Sequence, residues 1–152
     1  PGPPGSPRRT VVGWDSGRLA MVLAVLEARA GLPLGSKDIF LNVAGGLRIG
    51  EPAADLAVAA AIVSSYTNQA VPNDAIIFGE IGLSGEVRPV KLSTTRLKEA
   101  AKLGFRHALS PKQNKSNKSK ATSKIAVQEI TEIQELPNML SSLNTITPLG
   151  YS

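Results

Sequence analysis

A single α+β domain is what this sequence predicts, and three observations predict it. The chain has 152 residues, 42% of them hydrophobic, which suits one hydrophobic core and hardly more. Its apolar spacing switches between helical and strand periods in a mixed order rather than a strict strand–helix repeat, which favours α+β over a doubly wound sheet. The longest apolar runs, Leu19–Leu26 and Leu56–Val63, fall far short of the roughly 20 residues a bilayer span needs, so no membrane association is expected. There is no internal repeat.

The elements follow in order. Residues 1–7, PGPPGSP, are too rich in Pro and Gly for regular structure and read as a linker or a remnant of cloning, so the chain reads as a piece of something longer. Thr10–Trp14 forms a short strand. Asp15 or Ser16 then caps a helix with Leu19, Val22, Leu23 and Leu26 on one face, which Gly31 and Pro33 end. Asp38–Ala44 alternates as Ile39, Leu41 and Val43 and reads as a strand that Gly45-Gly46 breaks and Leu47–Ile49 resumes. Pro52 sits in the first turn of a helix running to about Tyr66, so uniformly apolar that it must be buried on most sides. A strand over Ala75–Glu80 and another over Glu86–Val90 make a hairpin through Gly82–Gly85. Ser93 or Thr94 caps a helix with Leu97, Ala100, Ala101 and Gly104 on one face. Strands over Arg106–Leu109 and Ile125–Glu129 flank a Lys-rich loop, 111–124. Thr131 and Gln134 pair as the cap of a last helix to about Leu143. The domain thus spans 8–147, with 148–152 a tail.

Composition removes several chemistries. There is no cysteine, and His107 is the single histidine, so thiolate or His-rich metal sites and disulfides are excluded. The glycines of Asn42–Gly46 follow a strand but lack Walker and dinucleotide spacing, and read as a strand break. Glu51, Asp55, Glu80 and Glu86 have no spacing that pairs them and read as surface carboxylates. His107 reads as a structural histidine rather than a general base. The net charge of +5 favours an anionic partner, nucleic acid first, against the plainer reading of a solvated basic surface. Lys112, Lys115, Lys118, Lys120 and Lys124 lie in a stretch without acids.

Three segments carry a resemblance. LNVAGGLRIGEPAADLAVAAAIVSS, FGEIGLSGEVRPV and RLKEAAKLGF, with PRRTVVGWDSGRLAMVLAVLEARAGLPLG upstream, resemble the Lon-type domain of the RadA/Sms family of DNA repair and recombination ATPases, from Arg8 to about Ser110. The resemblance implies the Lon proteolytic-domain fold, in the ribosomal protein domain 2-like superfamily. It also places residues. Ala53 stands where Lon proteases have their nucleophilic serine, Arg96 where an ungapped reading puts the dyad lysine, and Phe78 where Lon has a threonine. A methyl cannot attack a carbonyl, and a guanidinium stays protonated, so Ser-Lys proteolysis is not expected.

What the resemblance implies beyond the fold is a noncatalytic module that assembles into a ring, a hexamer, and binds duplex DNA or branched recombination intermediates. In the family, a zinc-finger region and an ATPase core precede the domain; zinc, ATP and magnesium belong there, and no cofactor is expected in this stretch. A RecA-type recombinase is then a partner of the longer protein, working in branch migration. Its setting would be intracellular: bacterial cytoplasm and nucleoid, or a plant chloroplast or mitochondrion. The candidate phosphate contacts are Arg8, Arg9, Arg48, Arg88, Lys91, Arg96 and Lys98, with Lys112, Lys115, Lys118, Lys120 and Lys124. Arg96 is alternatively buried in a salt bridge in the relic dyad pocket. A pure assembly scaffold and a cryptic Lon-type peptidase remain the competing functions.

Overall fold

A computed structural model describes residues 9–12, 16–34, 39–42, 53–112 and 125–146. The expected linker at 1–7, the resumed strand at Leu47–Ile49, most of the Lys-rich loop and the tail at 148–152 lie outside them. The element order is β1 Arg9–Val12, α1 Ser16–Arg29, β2 Ile39–Asn42, α2 Asp55–Thr67, β3 Ala75–Ile77, β4 Glu80–Ile81, β5 Val87–Arg88, α3 Ser93–Lys102, β6 His107–Pro111, β7 Ala126–Ile130, a 3-10 turn Ile133–Glu135, and α4 Leu136–Ile146. Parallel β1–β2, parallel β3–β6–β7 and an antiparallel β4–β5 hairpin make the sheets mixed, so the architecture is α+β as the sequence predicts.

Alternation in β3, β6 and β7 sends side chains to two cores, because successive residues of a strand face opposite sides. Ile77, Leu109 and Ile130 join α1, α2 and α4 in the larger one. Ile76, Ala108 and Val127 face the smaller one, where Phe78, Ile125 and the α3 residues Leu97 and Ala100 are buried. Helix α3 therefore covers the sheet face opposite α1, α2 and α4.

Four local expectations are corrected. The strand expected over Ala75–Glu80 is two pieces. After Phe78 donates its N–H to the Leu109 carbonyl, Gly79 turns away, its N–H bonding the Ala53 carbonyl and its carbonyl accepting from Leu56 N–H. Gly79 has φ +154°, and a Cβ there would lie 3.1 Å from both Pro111 and Val87 side chains, so only glycine fits this crossing. Helix α2 begins later than expected, at Asp55, with Pro52 outside the described residues; Ala53 gives its carbonyl to Gly79, and Ala54 supplies the first helical acceptor, to Val58. Leu92 in a left-handed conformation, φ 63°, precedes α3 without a side-chain cap, because the Ser93 hydroxyl donates to the Val90 carbonyl instead. Finally, the cap before α4 belongs to Glu132 and Glu135, which form a reciprocal capping box. Thr131 serves it by donating its hydroxyl and N–H to the Glu135 carboxylate.

Candidate functional site

Of the three positions that the resemblance to Lon singled out, two are joined through one short piece of backbone and the third reaches them by its side chain. Ala53 is buried in the turn before α2, and its carbonyl accepts the Gly79 N–H at 2.8 Å. Phe78 is fully buried. Above its ring lies the Arg96 guanidinium, 6.0 Å from the centroid, at the outer range of a cation–π contact. Arg96 Nε also donates to the Lys91 carbonyl at 3.2 Å. A methyl, a phenyl ring and a guanidinium occupy the three places. Arg96 is half-buried, and its contacts among the described residues are a carbonyl and a ring rather than an acid.

A second group at this end of the domain escaped the sequence reading. Asp55, read as a surface carboxylate, is fully buried. It forms a two-pronged ion pair with Arg18 of α1, Nε to Oδ1 at 2.9 Å and Nη2 to Oδ2, and it accepts the Ile81 N–H at 3.0 Å. A buried carboxylate demands such partners, since leaving water costs it several kcal/mol or more. The pair ties α1, the start of α2 and β4 together. The one signal in the sequence was an acid opening an otherwise apolar helix, which does not name its partner.

His107 lies half-buried at the start of β6, its Nε2 4.0 Å from Asp74 Oδ2. Ser84, Ser93, Ser64 and Ser65 are near-surface hydroxyls, and buried Ser110 has its Oγ unpartnered in the structure. Among the described residues no three His, Asp or Glu side chains are grouped to hold a metal, and no helix is long and apolar enough to cross a membrane.

The candidate phosphate contacts divide. Arg8, Arg48, Lys115, Lys118, Lys120 and Lys124 lie outside the described residues, as does the side chain of Arg9. Lys91, Lys98 and Lys112 are exposed. Arg88 is exposed as well but engaged, with Nε 3.1 Å and Nη2 2.8 Å from Glu86 Oε2. Backbone hydrogen bonding and then the Arg88 guanidinium hold the Glu86 carboxyl below its ordinary value, and Glu86 in turn raises Arg88. Two further cations, Lys102 and Arg106, are exposed. Helical spacing from Lys98 to Lys102 would have revealed the first.

The fold and this arrangement define a Lon-like α+β domain. The chain belongs to the family described as ChlI, subunit ChlI of Mg-chelatase, whose model matches residues 16–114. It is also homologous to DNA repair proteins named RadA. It is 64% identical over 107 residues to that of Brucella abortus, covering 70% of this chain and 23% of that protein. With the RadA of Pseudomonas aeruginosa it shares 52% identity over 109 residues, 72% of this chain and 24% of that one. With the RadA of Aquifex aeolicus the figures are 54% over 107 residues, 70% and 24%. The chain spans about a quarter of the length of the curated relatives it matches.

Proposed function

We propose that this domain is a noncatalytic module of a RadA-type DNA repair protein, binding duplex DNA through its phosphates and assembling with copies of itself. The observation that carries the reading is the 64% identity to a protein named for DNA repair, on a chain of net charge +5. Phosphate neutralisation needs distributed lysines and arginines rather than a shaped pocket. The exposed Lys91, Lys98 and Lys112 supply them, with Arg88 able to exchange its Glu86 partner for a phosphate. Only 4% of the residues are aromatic, which disfavours a single-strand stacking platform.

Proteolysis is not part of the proposal. At the positions given by the resemblance, Ala53 has no nucleophilic atom and Arg96 cannot act as a neutral base. In the longer protein, a hexameric ring, ATP hydrolysis with magnesium, a zinc finger, branch migration and work beside a RecA-type recombinase, inside a bacterial cell or a plant organelle, belong to the same proposal.

Fluorescence anisotropy with a short labelled duplex, repeated across a salt series, tests the reading. Binding on unrelated sequences with an affinity that falls steeply with salt is expected. Duplex affinity too weak to saturate even at low salt would leave the scaffold reading in its place. Casein incubated with the chain, or with Ala53→Ser, is expected to remain intact, since that change supplies a hydroxyl but no base. Cleavage abolished by replacing any one serine would reverse the noncatalytic assignment.

A further inference from the structure

Between Lys91 and Arg106 the chain carries five cations, Lys91, Arg96, Lys98, Lys102 and Arg106, against one acid, Glu99. The structure sorts them. Helix α3 turns Leu97 and Ala100 into the smaller core, so at 3.6 residues per turn Thr95, Lys98 and Lys102 share one outward arc about 60° wide. All three are exposed, as is Lys91 at the amino end of the helix. Arg96 leaves this arc, spent on the Lys91 carbonyl and the Phe78 ring.

At its carboxyl end the face is extended by Arg106, just before β6, the strand that follows α3. Ala108 faces the smaller core beneath α3, and Arg106 and Lys112 flank the strand at its two ends. Both are exposed. Since Phe105 N–H bonds back to the Ala100 carbonyl, Arg106 follows directly on the carboxyl end of α3.

We propose that this outer face of α3, with Lys98 and Lys102 at its centre and Lys91 and Arg106 at its ends, tracks the phosphodiester backbone of duplex DNA. The inference rests on the DNA-binding reading and narrows it to one surface. A row of mobile ammonium groups about 6 Å apart along a helix suits a repeating, unshaped anion and has no use for base edges. Arg96 then acts as a positioning residue. Its bond to the Lys91 carbonyl, with the Ser93 hydroxyl on Val90, fixes the turn that presents Lys91.

The test compares this chain with Lys98→Gln/Lys102→Gln on the labelled duplex across a salt series. Glutamine keeps the helix propensity of lysine, and circular dichroism melting checks that the fold is unchanged. Two lost phosphate contacts are expected to lower the slope of log K against log salt by about 1.8, at about 0.9 each, equally on unrelated sequences. Arg96→Lys is expected to leave most of that slope in place. If the chain binds duplex and the double variant binds it with the same slope, the α3 face is overturned while the DNA reading stands. If the chain itself does not bind duplex, both fall. A loss of affinity confined to one sequence would mean base readout and would also overturn the proposal.

Discussion

Helices α2 and α3, of 13 and 10 residues, flank the same sheet and handle charge in opposite ways. Helix α2 buries Leu56, Val58, Ala59, Ala60, Ile62 and Val63, and the one charge in it, Asp55, is cancelled inside the protein by Arg18. Helix α3 buries only Leu97 and Ala100 and turns its lysines to water. In these two helices charge is either neutralised within the packing or displayed to water. The end that holds Ala53 buries a neutralised pair, and the exposed lysines of α3 stand where little packing depends on them.

Breaking the buried pair gives the largest expected effect. Arg18→Met strands Asp55 in the core, and a loss of about 3–5 kcal/mol is expected, measured by urea denaturation. Adding Asp55→Leu is expected to recover most of it, leaving a deficit from the Ile81 N–H that loses its acceptor. A single variant as stable as the parent would show that water reaches Asp55, and the contrast between the helices would fail.

On the α3 side the opposite sign is available. Leu92 is 69% exposed and holds φ 63°, a conformation that costs an L-residue roughly 1–2 kcal/mol. Glycine avoids that cost but adds freedom to the unfolded chain. Leu92→Gly is therefore expected to stabilise by on the order of 1 kcal/mol, read as a higher midpoint in thermal or urea melts. A lower midpoint would mean that the added freedom of the unfolded chain outweighs the relief of the left-handed conformation.

The smallest effect comes from the β4–β5 hairpin. Glu86 has its carboxyl held below the ordinary 4.5 by backbone hydrogen bonding and by Arg88. A depressed folded value means that its contribution is complete above the unfolded value and lost as pH falls through the folded one. The melting-temperature gap between the parent and Glu86→Gln should be constant near neutrality and close in acid. A gap that widens in acid would reverse the assignment.

Much of the fold was legible because it is written in local periods. The apolar stripe of α1 appears in the sequence as i, i+3, i+4, i+7 spacing, and the turn glycines mark the hairpin. Of the face expected on α3 only Leu97 and Ala100 are buried, Ala101 being half-buried and Gly104 exposed beyond the helix end. The resemblance located Ala53, Phe78 and Arg96 one by one. What it did not convey is that Arg96 lies over Phe78 and that Ala53 and Gly79 share a hydrogen bond.

The α+β class, the family, the excess of positive charge and the residue types at positions 53, 78 and 96 can all be read from the sequence, since each depends only on composition or on neighbours a few places apart. Tertiary structure alone decided the rest. It paired Asp55 with Arg18 across 37 positions, ended β3 at a glycine crossing to α2, gave Arg88 to Glu86 and Arg96 to a carbonyl, and left Lys98 and Lys102 facing water. The physical reason is that burial and ion pairing depend on which distant segments meet. A charge in a sequence has a sign but no partner until the chain has folded around it.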